Sequence, residues 1–293
     1  MLISQISDMH VKGEDVLTFG KVDTYGALQN AVNHLNQHLP KPDVVLVTGD
    51  LTNDGGTPEF LAVRKALDRL EMPWFPIAGN HDQQEDMRVV FADLERFPAT
   101  GKLFYLVDEF AVQLIALDTT TPGEHGGHLG QAQLDWLSKT LASATEKPTL
   151  IFMHHPPFIT GIDHMDGGLV SDADSFADIV SQHPQIERIT AGHLHRAIQV
   201  RFAGTVACTA PATAHQILLQ LDKGAPGRWV DEPPAALMHL WRHGQMITHT
   251  SLIGDYGDPH PFNNDVATWD GNAESTRMTR GSNVPFPGKT GSV

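Results

Sequence analysis

Histidines and carboxylates recur at the same kind of place along this chain. Asp8-Met9-His10 follows the apolar run 2–6, Gly49-Asp50-Leu51 follows 43–48, and Gly79-Asn80-His81-Asp82 follows 73–77. His154-His155-Pro156-Pro157 then follows 149–153, and Gly192-His193-Leu194-His195 follows 186–190. The runs are short and apolar and read as buried strands. Each therefore delivers polar side chains just past a strand's C-terminal end, the edge where α/β sheets bind ligands. Asp8 and His10 are two residues apart, as are His193 and His195, and in extended chain such pairs point the same way. Glycine precedes Asp50, Asn80 and His193, which lets the backbone turn sharply there. The donors are oxygen and nitrogen with no thiolate, a set that suits Zn, Fe, Mn or Co and not a cysteine-built structural zinc site. Any one block alone is an ordinary turn. Five in order, supplying two Asp, one Asn and four His, point to a metal centre.

The elements that must position these residues follow from periodicity. Helical spacing covers 24–39, with Leu28, Ala31, Val32, Leu35 and Leu39 on one face. It also covers 57–71, opening with Thr57-Pro58, and 130–142, with Leu134, Leu137 and Leu141. Residues 83–95 are weakly helical, 103–107 and 111–117 form a hairpin, and a helix lies near 173–182. After 197 the pattern turns to strands at 197–202, 204–209, 215–221, 235–241 and 245–252, interrupted by an exposed arm at 222–234. Strands alternating with helices and then a run of strands imply an α/β layered body; two sheets face to face with helices outside would fit, though periodicity alone does not establish the second sheet. The catalytic domain is expected over 1–254, with a cap or oligomerisation arm near 216–240. The Gly/Pro/Asn-rich stretch 255–293 reads as a partly irregular tail.

The chain has 293 residues, of which 41% are hydrophobic, enough for one large core. Lys plus Arg number 20 and Asp plus Glu 35, a net charge of −15 that argues against a nucleic-acid polymer partner or a polybasic membrane anchor. No apolar run approaches the ~18 residues of a transmembrane helix. The first residues lack the basic and apolar regions of a secretory signal, and the lone Cys208 reads as a small hydrophobe in a strand. A cytoplasmic location is the expectation. The 17 histidines are the surplus in this composition.

The ordered set Asp8-x-His10, Gly49-Asp50, Gly79-Asn80-His81-Asp82, His154-His155 and Gly192-His193-x-His195 resembles the calcineurin-like metallophosphoesterase family over roughly residues 1–200. Within it, the chain is similar to bacterial glycerophosphodiesterases and class III cyclic-nucleotide phosphodiesterases. Met153-His154-His155-Pro156-Pro157 and Ala214-His215-Gln216 carry that nearer likeness. The resemblance implies a four-layer αββα sandwich and two metals. One would be held by Asp8, His10, Asp50 and His195, the other by Asp50, Asn80, His154 and His193, with Asp50 bridging. It also implies a small phosphodiester substrate, attacked at phosphorus by a metal-activated hydroxide. Oligomerisation is a further expectation from these relatives.

His81, beside Asn80, is the candidate to hydrogen-bond the phosphoryl oxygen or protonate the leaving group. Asp82 either orients His81 or caps a turn. His215 is a candidate substrate contact, and His155 a supporting residue. His125, His128 and His164 are read as surface residues in loops that could rim the pocket. A phosphomonoesterase or nucleotide pyrophosphatase could use the same centre. A non-catalytic binding module would require lost ligands, and none is lost.

Overall fold

The computed structural model describes residues 1–94 and 96–260. The elements of the first sheet and its helices are β1 (Leu2–Ile6), α1 (Thr24–Gln37), β2 (Val44–Thr48), α2 (Thr57–Leu67), β3 (Trp74–Ile77) and α3 (Gln84–Val90). There follow β4 (Tyr105–Val107), β5 (Gln113–Ala116), α4 (Gln131–Ala142), β6 (Thr149–Phe152), α5 (Ala173–Ser181) and β7 (Ile186–Ala191). The chain then runs through β8 (Ile198–Phe202), β9 (Thr205–Thr209), β10 (Gln216–Ile217), β11 (Trp229–Val230), β12 (Ala235–Arg242) and β13 (Gln245–Leu252). Met1–Gly254 forms one compact unit. Asp255–His260 is exposed chain without helix or strand, and the rest of the expected tail lies outside the described residues.

Two mixed sheets stack between helical layers, the αββα arrangement. One has five strands in the order β13-β12-β1-β2-β3, the other six in the order β4-β5-β6-β7-β9-β8. The strands that carry the candidate residues run parallel: β1 with β2, β2 with β3, and β6 with β7. Their C-terminal ends therefore share an edge. Strand alternation sorts the core. Ile3, Val44, Leu46 and Ile77 pack against Leu114, Ala116, Leu150 and Phe152 between the sheets. Ile6, Val45 and Val47 turn outward onto Leu28 and Leu35 of α1 and Phe60 and Val63 of α2. On the far side, Ile115, Ile151 and Ile189 meet Leu134 and Leu137 of α4 and Phe176 of α5. Strands buried on both faces account for the continuous apolar runs.

Helix α1 starts where the Asp23 side chain accepts the Gly26 amide at 2.8 Å; it ends at Gln37, so Leu39, expected on its buried face, lies beyond it and is exposed. Helix α2 starts with Pro58 in its first turn, where a missing amide proton is harmless. One expectation needs correction. The strand expected over 215–221 is confined to β10, and it pairs antiparallel with β11, inside the stretch expected to be an exposed arm. Gln216-Ile217 lacks the length to register as a strand alone, and its partner lies beyond a Gly/Pro-rich turn.

Between the sheets, directly beneath the shared edge, sits a polar knot. Gln5 Nε2 donates to Thr48 Oγ1 at 2.8 Å and to the Ala191 carbonyl at 3.0 Å. Its Oε1 accepts from Thr190 Oγ1 and from His239 Nε2, and Thr248 Oγ1 donates to His239 Nδ1 at 2.9 Å. That pattern suits the neutral Nε2–H tautomer. Burial, reinforced by the Arg188 charge, pushes the His239 pKa down to about 3. The unfolded chain takes up a proton near pH 6.5 that the folded chain refuses. Stability from this residue is thus complete above pH 6.5 and is lost as pH falls from there toward 3. Urea melts between pH 7 and 5 should show the pH slope of the parent exceeding that of His239→Asn by an amount that grows toward one proton, about 1.4 kcal/mol per pH unit, as pH falls to 5. Equal slopes would show that His239 is protonated in the fold.

Candidate metal centre

The candidate residues sit on backbone that L-amino acids normally avoid. Asp8, His10, Asp50, His193 and His195 have φ of 53°, 46°, 50°, 68° and 47°. Left-handed conformations at non-glycine residues each cost about 1–3 kcal/mol and persist where the surroundings over-determine them. Here the surroundings are the loop ladder itself: Asp8 and His10 amides donate to the Gly49 and Asp50 carbonyls at 3.1 and 2.9 Å. The glycines are required. A Cβ on Gly49 would strike the His154 ring, and one on Gly79 would strike the Asp50 carboxylate.

Nine of the ten candidate residues from the sequence converge on one cavity or its floor. Asp8 and Asp50, buried at 0% and 2% exposure, are ringed by imidazoles. His10 Nε2 lies 3.5 Å from Asp50 Oδ2, His154 Nε2 lies 3.4 Å from the same oxygen, and His195 Nε2 lies 3.7 Å from Asp8 Oδ1. His10 and His195 turn their Nε2 atoms toward each other at 3.0 Å. Asn80 Oδ1 stands 3.2 Å from His154 Nε2. The donor atoms of Asp8, His10 and His195 lie within 4.8 Å of one another, and so do those of Asp8, Asp50 and His154. His81 also lies on this floor, its amide donating to Asp50 Oδ1 at 2.9 Å. His215 faces His195 with ring centroids 4.9 Å apart.

Backbone carbonyls fix which nitrogen each ring presents. His154 Nδ1 donates to the Thr48 carbonyl at 2.9 Å and His195 Nδ1 to the His215 carbonyl at 2.9 Å, leaving both Nε2 atoms facing the centre. Burial holds His10 well below the ordinary range, His193 down to about 3 and His195 to about 4, so these rings present lone pairs. Burial also raises the Asp8 carboxyl to about 7, with the Asp50 charge adding to the effect. At Asp50 burial pulls upward too, but the His154 charge and its hydrogen bond outweigh it and hold the group well below the carboxylate range. Burial pulls the other way on His154, and Asp50 raises it to about 9. Two buried polar atoms at the centre, Asp8 Oδ2 and His193 Nε2, have no protein partner. Orphaned, convergent acceptors of this kind fit a pair of divalent cations.

His155 falls elsewhere. Its donor atoms also group with those of His154 and His193, but Thr119 Oγ1 at 2.7 Å and the His125 carbonyl at 3.1 Å occupy its two nitrogens. Asp82 does not orient His81. His81 Nδ1 donates instead to the Asn53 carbonyl at 2.8 Å. The Asp82 oxygens accept the Leu51, Thr52 and Gly79 amides at 3.0, 2.9 and 2.9 Å and the Thr52 hydroxyl at 2.7 Å. It clamps the β2 and β3 exits together from behind. His125 and His164, read from sequence as surface residues, line the cavity, whereas His128 does not. Asn53, Phe19 and Trp229 line it as well. Nothing local marks Asn53, which acts through its carbonyl, and the two aromatics come from distant loops.

The calcineurin-like phosphoesterase family profile matches residues 1–197. The chain is 35% identical over 267 residues to a probable glycerophosphodiester phosphodiesterase GpdQ of Arcobacter nitrofigilis, covering 90% of this chain and 98% of that one. It is 30% identical over 263 residues to the 3′,5′-cyclic adenosine monophosphate phosphodiesterase CpdA of Pseudomonas aeruginosa, covering 87% and 91%. A dimetal phosphatase from Danio rerio shares the fold at a TM-score of 0.56 and 13% identity, covering 86% of this chain and 99% of that one.

Asp82 separates two roles by experiment. Asp82→Ala strands several buried donors, and each such group costs about 1–3 kcal/mol. The variant should lose at least about 2 kcal/mol in urea denaturation. An unchanged urea midpoint with a collapsed turnover rate would instead place Asp82 in the reaction.

Proposed function

This chain belongs to the calcineurin-like phosphoesterase family, and we propose that it hydrolyses small phosphodiesters, of the cyclic-nucleotide or glycerophosphodiester kind, at a two-cation centre. One observation carries the reading: two buried carboxylates amid imidazoles, with Asp8 Oδ2 and His193 Nε2 left without partners. In this reading Asp8, His10, Asp50 and His195 hold one cation, and Asp50, Asn80, His154 and His193 the other. Fe, Mn, Zn and Co all suit that oxygen–nitrogen set. When bound, the pair supplies Lewis-acid polarisation of the phosphoryl group and acidifies water.

The remaining work falls to side chains. The His81 ring stands edge-on to His10, centroids 4.6 Å apart. Because Nδ1 is committed to the Asn53 carbonyl, Nε2 is the nitrogen left to face the diester, to hydrogen-bond its phosphoryl oxygen or to pass a proton to the departing alkoxide. Asn80 shares its side chain between the centre and the cavity. His215 orients His195 through its carbonyl and walls the substrate with its ring. The cavity, about 620 Å³, suits a small molecule rather than a polymer. No described helix is long and apolar enough to cross a membrane. We place the reaction in the cytoplasm, where the buried free thiol of Cys208 needs no oxidant, and within a catalytic unit of residues 1–254.

Bis-p-nitrophenyl phosphate and p-nitrophenyl phosphate, assayed with and without Mn²⁺, test the activity. Metal-dependent preference for the diester is expected, and preference for the monoester would overturn it. Metal analysis beside turnover tests the roles. Asn80→Ala should bind one equivalent fewer. His81→Ala should retain both equivalents while kcat falls about 10²- to 10⁴-fold. Full activity in either variant would remove that residue from the scheme.

A further inference from the structure

The cavity has two unlike halves. Its floor is the ring of carboxylates and imidazoles, but its outer wall is built by Phe19, from the loop between β1 and α1, and Trp229, from β11. The two rings lie nearly parallel, 16° apart, with centroids 5.8 Å from each other. His215 stands edge-on to both, at 5.3 Å from Phe19 and 6.0 Å from Trp229. His215 in turn lies 5.6 Å from His10. A row of rings thus runs from the centre to the mouth.

Folding alone gives little reason for this arrangement. Phe19 is 59% exposed, so it contributes little to the core, yet its φ is +53°. A bulky residue held in the left-handed region at the rim of a site points to function. The loop is pinned by Thr18, whose hydroxyl donates to the His10 carbonyl at 3.0 Å, so the strain at Phe19 is tied to the centre. Trp229 is equally fixed: it pairs with Ile217 in the β10–β11 ribbon, which Arg196 ties down by donating to the Ile217 carbonyl and Glu232, both at 2.6 Å.

We propose that Phe19 and Trp229 form a stacking wall that selects, among small phosphodiesters, those carrying a nucleobase over those carrying glycerol or an alkyl chain. The proposal rests on the phosphodiesterase reading above and names its substrate class. A nucleobase gains from any aromatic face, whereas a glycerol moiety has no π face to stack and gains little from the two rings. The wall lies beyond the phosphoryl-binding floor, as a base lies beyond its ribose phosphate.

The test compares adenosine 5′-monophosphate with ribose 5-phosphate, which differ only in the base, by calorimetric binding to the metal-loaded protein. The unaltered protein should bind the nucleotide about tenfold or more tightly. Phe19→Ala and Trp229→Leu should each bring that ratio toward one, and Phe19→Tyr should retain it. In turnover, the ratio of kcat/KM for 3′,5′-cyclic AMP over glycerophosphoethanolamine should fall about tenfold in the first two variants. Equal binding of the two monophosphates by the unaltered protein, or an undiminished preference in both disrupted variants, would overturn the wall. If no diester is turned over, the phosphodiesterase reading fails, while the binding ratio still decides whether the wall recognises a base.

Discussion

Two carboxylates buried side by side are the feature on which the rest of the molecule depends. Asp8 and Asp50 have almost no contact with water, and like charges in a low-dielectric interior repel strongly. The protein answers only in part. His193 and His81 amides each donate to one carboxylate oxygen, and His154 brings a positive charge to Asp50. The His10, His193 and His195 rings are held neutral by burial. Neutral rings and uncompensated carboxylates are what cations require of their ligands, so the electrostatic deficit and the chemical capability of the site are one property.

Holding that deficit takes rigidity from both sheets. Asp8 and Asp50 leave the first sheet, His154 and His193 the second, so something must hold the two sheets in register. Gln5 does this a few residues below, bonding β2, β7 and β12 from the middle of β1. A fully bonded polar side chain in an otherwise apolar interlayer fixes the sliding of one sheet on the other. Above it, the left-handed residues at the exits are strained, and the Asp8, His10 and His193 amides are committed to the opposite exit or to a carboxylate. The strain is affordable because the two-sheet core beneath is large and continuous.

Much of this was legible from residue order. Strands buried on both faces announce themselves as unbroken apolar runs, and polar residues immediately after them can only lie at the strand ends. That logic located Asp8, His10, Asp50, Asn80, His81, His154, His193 and His195 at one edge, while the four-layer order came from the family resemblance. Residue order could not give direction. Asp82 stands next to His81 in sequence, yet a tight turn sends its carboxylate backward onto the Leu51, Thr52 and Gly79 amides. Sequence spacing likewise cannot bring Phe19 beside Trp229, more than two hundred positions away, because that contact depends on how an irregular loop and a two-residue ribbon drape over the finished sandwich. The same holds for His125 and His164, which reach the cavity through loops.

The division between legible and illegible parts has a physical origin. Residues at strand exits inherit their positions from the sheets, whose spacing and register are set by backbone hydrogen bonding. Residues on the rim inherit theirs from loops, which the sheet constrains only at the ends. Chemistry that must not vary belongs on the former, and selectivity that can vary belongs on the latter. The acidic surface fits the same division. A net charge of −15 repels an anionic substrate at long range, but in physiological salt the repulsion fades within about 8 Å. Once at the rim, a diester meets neutral rings first and the charged floor only afterwards. Encounter is then set by the acidic exterior and the salt around it, retention by the aromatic rim, and bond cleavage by the buried centre, three tasks that the layered construction keeps on separate residues.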